Sequence, residues 1–184
     1  MKIYIIERNK DNFKYLVPYF DDLEDVVLVN TDFKTFMDEY YVECIVSPAN
    51  SYGLMDGGYD KAIKMYFKED IQEKVQNYII KNYYGEQPIY TSFIIDINDK
   101  QKLMHTPTMR IPEKIIDERA IYQCMRSVLI EAKQNNIESI LIPMFGGLTG
   151  GVHPQNISKM MRLAYDQIQN PPEKISWEYV KKLK

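Results

Sequence analysis

Apolar and polar positions along this chain fall into blocks whose period switches between strand and helix. Residues 2–6 make a first short β-rich run, and residues 26–29 (Val-Val-Leu-Val) a second with no polar member. A run of that kind predicts a strand buried on both faces. Between them Phe13, Leu16, Val17 and Phe20 recur at helical spacing, disturbed by Pro18. After the N-cap pair Thr31-Asp32, the positions Phe33, Phe36, Met37 and Tyr40 predict a brief amphipathic helix.

A third apolar run, 42–47, ends at Pro48, which cannot donate to a strand ladder. A polar, glycine-bearing loop follows, then Ala62, Ile63, Tyr66 and Phe67 at helical spacing. Residues 69–81 predict a further helix with Ile71, Val75, Tyr78 and Ile79 inward, closed by Gly85. Residues 89–97 and 102–106 read as two antiparallel strands around Asn98-Asp99-Lys100. A connection bounded by Pro107 and Pro112 leads into the clearest helical pattern, 113–134, with Ile116, Ala120, Cys124, Val128 and Ala132 in one stripe. Residues 139–144 predict a buried strand. A second glycine-rich loop follows, and Pro154 then opens a helix with Ile157, Met160, Met161, Ala164, Tyr165 and Ile168 inward. Pro171-Pro172 stops it, leaving 171–184 as a final helix or tail packed on the domain.

Strands alternating with helices imply a three-layer α/β/α sandwich around a mixed, mostly parallel sheet. With 184 residues the chain is read as one domain, 1–184. The formal net charge of −3 gives no field that would draw in nucleic acid, so sequence-specific nucleic-acid binding is not expected. An anionic ligand would have to be held by local amides and dipoles. Glu7 interrupts the N-terminal apolar run too soon for a signal peptide, and no run approaches membrane-spanning length. The expectation is a soluble cytoplasmic protein with no membrane partner. Cys44 and Cys124 lie inside predicted elements without metal-ligand spacing and read as buried thiols; no metal and no cofactor are expected.

The candidate chemistry lies in the two loops. The first offers Asn50, Asp56, Gly57, Gly58 and Asp60; the second offers Gly146, Gly147, Leu148, Thr149, Gly150 and Gly151. Closely spaced glycines let backbone N–H groups approach phosphate oxygens, and the helix that follows each loop adds a positive dipole end. Neither loop carries the Lys-Ser/Thr of a P-loop or a clean GxGxxG. If the two preceding strands are parallel, both loops lie on one edge of the sheet and flank one ligand.

The stretches Ser47-Pro48-Ala49-Asn50, Gly57-Gly58-Tyr59-Asp60 and 146–151 resemble the two ligand loops of the macro domain family, in order and strand context, over about residues 2–168. Residues 107–112 resemble a divergent branch of it. The resemblance implies ADP-ribose, free or attached to a macromolecule, as ligand. It places Asp32 on the adenine amino group with Phe33 beside it. Asn50 would hold the distal ribose, and Asp60 would face that sugar and, in hydrolytic members, help orient the attacking water. Gly57 and Gly58, with Gly147, Leu148, Thr149 and Gly150, would wrap the diphosphate through backbone amides, and Asp56, Gly146 and Gly151 complete the expected ligand-binding set. The chain departs from the family pattern at Ser47-Pro48, where an asparagine is usual, in its shortened Met55-Asp56-Gly57-Gly58 run, and at Val152-His153.

Local chemistry leaves second roles open. Asp32 also reads as a helix cap, Asn50 as a turn residue bonding its own backbone, and Asp56 as a solvated turn carboxylate. Asp60 also reads as a first-turn complement to the helix dipole. His105 reads as a structural histidine, His153 as a cap, Arg110 as a pin for the 107–112 connection, and Trp177 as a packing residue. Three function classes follow: a hydrolase of an ADP-ribosyl linkage or of ADP-ribose-1″-phosphate, an ADP-ribose-binding module without chemistry, and an interaction domain with no nucleotide ligand.

Overall fold

The computed structural model describes residues 1–67 and 71–182. Among these residues six strands form one sheet: β1 (Lys2–Ile6), β2 (Val26–Val29), β3 (Cys44–Ser47), β4 (Phe93–Asp96), β5 (Lys102–His105) and β6 (Ser139–Pro143), in the order β2-β1-β6-β3-β5-β4. All neighbours are parallel except the β4–β5 hairpin. The sheet is therefore mixed and mostly parallel, and the C-terminal ends of β3, β5 and β6 share one edge.

Alternating side chains send the sheet into two cores. On one face Ile3, Ile5, Val46, Ile140 and Ile142 pack beneath α6 (Arg119–Gln134) and α7 (Pro154–Gln169). On the other, Tyr4, Ile6, Ile45, Leu103 and Leu141 pack beneath α3 (Phe33–Glu39), α4 (Gly58–Phe67) and α5 (Ile71–Tyr83). Helices on both faces make the three-layer α/β/α sandwich. No helix among the described residues is long and apolar enough to cross a membrane.

Several boundaries differ from the sequence reading, each for a physical reason. The 13–20 helix is two single turns, α1 (Lys10–Phe13) and α2 (Val17–Phe20), because Pro18 starts the second turn, where its missing N–H costs nothing. β2 is an edge strand, so only Val26 is buried and Val27, Leu28 and Val29 are half-covered. The 89–97 strand shrinks to β4. The helix expected from 113 begins at Arg119. Residues 113–118 are irregular because the backbone N–H of Ile115 is drawn to the carbonyl of Gly150 at 2.9 Å. Ile116, expected in the stripe, is 97% exposed. The short C-terminal helix α8 (Trp177–Lys182) meets α7 through Tyr179 Oη, which accepts from Gln167 Nε2 at 3.1 Å; Trp177 is 80% exposed and does not pack. Glu69, within the expected start of α5, and Leu183 of the expected tail lie outside the described residues.

Candidate functional site

The first loop is built by the side chain of Asn50. Its Nδ2 donates to Leu54 O at 2.9 Å, and its Oδ1 accepts from the N–H groups of Tyr52 (3.1 Å) and Leu54 (3.4 Å). This is a side chain standing in for backbone in a turn. Gly53 has φ +65°, and a Cβ there would fall 2.6 Å from Val75 Cγ1, so glycine lets the loop lie flat on α5. Past Met55, whose N–H donates to Gln72 Oε1 at 3.0 Å, the chain rises to Asp56, exposed and 3.6 Å from Lys64 Nζ. Gly57 stands in open space, its carbonyl accepting the Lys61 N–H at the start of α4. Asp60 lies in the first turn of that helix.

The second loop leaves β6 through Met144 and Phe145. It closes on itself: Gly146 O accepts from Val152 N–H (3.1 Å) and Leu148 O from Gly151 N–H (3.2 Å). A Cβ on Gly150 would stand 2.6 Å from Gly146 O and 2.8 Å from Ile115 Cδ1; one on Gly146 would stand 2.7 Å from the same methyl. Ile115 thus fills the space that those glycines vacate. His153 caps α7, its Nδ1 accepting from the Gln155 N–H at 3.3 Å.

Between the loops lies a cavity of about 190 Å³. Its third wall is the 107–112 connection, brought there because β5 runs parallel to β3 and ends on the same edge. Met109 pairs with Asn50 in an isolated parallel bridge, and Thr108 Oγ1 donates to Pro48 O at 3.2 Å. Outside the wall Arg110 forks onto Glu86 (Nε to Oε1, 2.6 Å; Nη2 to Oε2, 3.0 Å) and bonds the Tyr52 hydroxyl, pinning the connection to loop one as its sequence suggested.

One charge meets this cavity from a helix start. Asp60 is half-buried as a residue, but its carboxyl group is desolvated, which pushes its pKa up to about 6; a hydrogen bond from Ser47 Oγ to Oδ1, 2.6 Å, pulls the other way. The Tyr59 hydroxyl beside it is buried without a partner among the described residues, and burial pushes its pKa well above the usual value. His105, in register with Ser47 on β5, is fully buried. Its Nδ1 meets Gln87 Oε1 at 2.6 Å, its Nε2 has no partner among the described residues, and burial lowers its pKa to about 3. Because the Gln87 Nε2 donates to Thr91 and to the His105 carbonyl, Oε1 is the acceptor and Nδ1 carries the proton. His105 is a neutral structural histidine with one nitrogen satisfied.

The cavity gathers Asn50, Gly57, Gly58, Asp60, Gly146, Gly147, Leu148, Thr149 and Gly150. It does not include Asp32, Phe33, Asp56 or Gly151. Asp32 caps α3, accepting from Thr35 N–H (3.1 Å) and Thr35 Oγ1 (2.8 Å), bonds that hold its carboxyl below the usual range. Phe33 is 3% exposed, with the rings of Tyr59 and Tyr66 edge-on at 5.3 and 5.7 Å. Sequence reasoning missed Thr108, Met109 and Pro112 as lining. Their signal was the pair of prolines bounding a rigid stretch, but only the strand order brings that stretch to the loops.

Comparison with known proteins agrees with this architecture. An uncharacterized protein of Aquifex aeolicus (strain VF5) is 29% identical over 132 residues, spanning 70% of this chain and 75% of that one. Among solved structures, the macrodomain of Mycobacterium tuberculosis DarG superposes with TM-score 0.61 at 18% identity, covering 71% of this chain and 85% of its own. The Oceanobacillus iheyensis macrodomain with ADP gives 0.60 at 21%, covering 70% and 69%. Thermosipho africanus DarTG in complex with ADP-ribose gives 0.60 at 13%, covering 96% of this chain and 55% of its own. The family model for the macro domain matches residues 46–161, from β3 and loop one through loop two into α7, and the chain belongs to the macro domain family.

Proposed function

We propose that the cavity binds ADP-ribose, or the ADP-ribosyl group of a modified macromolecule, and that the domain hydrolyses the bond at the distal ribose. The observation that carries this reading is the convergence of the two glycine-rich loops on one cavity with a single desolvated carboxyl, Asp60, at its wall. Backbone N–H groups of loop two and the N-terminal end of α4 suit a diphosphate without any lysine or arginine. Asp60, with a pKa of about 6, is ionised at neutral pH yet basic enough to take a proton from a water attacking the anomeric carbon. Binding of the diphosphate would hold that carbon beside the water. Asp32, at the start of α3, is proposed to meet the adenine amino group, with Phe33 behind it. Asp56 and Gly151 would frame the two loops from outside the cavity.

Solved variants of the Oceanobacillus iheyensis macrodomain are altered at an asparagine, a glycine and an aspartate whose spacing equals that of Asn50, Gly57 and Asp60. One of them was solved with ADP-ribose. The spacing supports the same three positions here as the functional part of loop one.

A second reading, binding without turnover, is favoured by one observation: the amide of Asn50 is spent on its own turn rather than offered to a sugar. Calorimetric titration with ADP-ribose, with AMP and NAD as controls, followed by hydrolase assays on an ADP-ribosylated protein and on ADP-ribose-1″-phosphate, decides between them. Micromolar binding that AMP does not match, with turnover lost in Asp60→Ala while binding persists, supports the hydrolase. Equal binding with no wild-type turnover leaves the binding module. No heat and no thermal stabilisation sinks both.

A further inference from the structure

We propose that Ser47 is the positioning residue for the Asp60 carboxylate: from the last position of β3 it grips Oδ1 and leaves Oδ2 to face the ligand in the cavity. The inference rests on Asp60 acting at the bound sugar, and it concerns the position where the family resemblance expects an asparagine.

Ser47 is fully buried and does not line the cavity, whereas Asp60 does. The serine therefore reaches the site only through the carboxylate it holds. An ionised carboxylate can only accept, so the Ser47 hydroxyl donates, and at 2.6 Å the bond is short, as bonds to charged acceptors are. The two ends of this bond differ in rigidity. Ser47 is fixed by the parallel β3–β5 ladder, in register with His105. Asp60 rides on the first turn of α4, which is entered through Gly57 and Gly58, the first of them with nothing packed where a side chain would be. The hydrogen bond ties a freely entered helix turn to the edge of the sheet.

Among the described residues no other charge competes for that carboxylate. The Tyr59 hydroxyl on the same helix and His105 on β5 are buried and neutral. Residues 146–151 contain no titratable side chain. Arg110 of the third wall is held by Glu86, Lys64 lies 3.6 Å from Asp56, and Lys61 is exposed on α4. What sets the carboxylate against its burial is first the serine and, after it, a hydrogen bond with the backbone of Asp60 itself.

The test compares wild type, Ser47→Ala and Ser47→Thr. The Asp60 carboxyl is followed by ¹³C NMR titration, turnover and ADP-ribose affinity are measured from pH 4.5 to 8.5, and melting temperature serves as the folding control. A hydroxyl bonded to a carboxylate is worth on the order of one pKa unit. Ser47→Ala should therefore move the Asp60 midpoint and the acid limb of activity up by about one pH unit. That is about a tenfold loss near pH 5 with little loss near pH 8, and Ser47→Thr should restore the wild-type profile. An unshifted Asp60 titration in Ser47→Ala overturns the proposal, as does a loss equal at every pH that tracks a lower melting temperature. If wild type shows no turnover, the hydrolase reading fails alone, because the NMR titration still decides whether Ser47 governs Asp60.

Discussion

Asp60 carries a stability cost that can be measured in isolation. Its carboxyl has a pKa of about 6 in the folded protein and an ordinary value of 3.8 when solvated. The native pKa is raised, so the unfolded state holds the carboxylate more willingly, and stability falls as pH rises from the unfolded pKa through the native one. Well below the unfolded pKa both states are protonated and the cost vanishes; at pH 4, where the unfolded carboxyl is about half ionised, it is roughly 0.5 kcal/mol. It grows to about 1.5 kcal/mol at pH 5 and levels off near 3 kcal/mol above pH 7. Asp60→Asn removes the charge but keeps an oxygen to accept the Ser47 hydroxyl, so the shape of the site survives. The expected outcome in urea denaturation is a gain of about 2 to 3 kcal/mol at pH 7.5 that shrinks to within about 0.5 kcal/mol at pH 4, together with lost turnover. At roughly 2–4 °C per kcal/mol for a chain of this size, the melting temperature at pH 7.5 should rise by about 4–12 °C. The reasoning would be refuted by a variant no more stable than wild type at pH 7.5, or by one equally stabilised at both pH values.

Gly57→Ala separates ligand contact from folding. A Cβ there meets nothing within 4 Å and φ is unstrained, so the small loss at a helix start is offset by a stiffer unfolded chain and stability should change by less than about 1 kcal/mol. Calorimetry should nonetheless show ADP-ribose affinity reduced by about tenfold or more, from crowding of the diphosphate; unchanged affinity would remove loop one from the phosphate site. Gly53→Ala should do the opposite first, destabilising by about 3 kcal/mol in thermal melts, because φ is +65° and the new methyl would lie 2.6 Å from Val75 Cγ1. Burial pushes the Cys44 thiol up to about 12 and that of Cys124 up as well, so native protein should resist iodoacetamide at pH 8 by mass spectrometry, with labelling appearing only on unfolding.

Departures from the sequence reading cluster where a segment answers to a partner distant along the chain. The stripe at 113–134 is helical in period from its first residue, yet the first six residues are pulled off the helix to buttress loop two, and Ile115 rather than Ile116 finds the core side. Val27 to Val29 look doubly buried because composition cannot tell a central strand from an edge one. Asn50 was legible both as a turn residue and, through the resemblance, as a sugar contact; its hydrogen bonds realise the first. Asp32 likewise serves as the cap that its neighbours call for.

The chain's own pattern determined the alternation of strands and helices, the three layers, and the two glycine-rich loops that follow β3 and β6, because these depend on period and on local turn chemistry. Tertiary structure alone decided which walls close the cavity. The placement of β5 beside β3 carries residues 107–112 to the loops, and the meeting of a strand end with a helix turn sets Ser47 against Asp60. Such contacts depend on strand order and on distances between residues 13 to 60 apart in the chain, which no local pattern encodes.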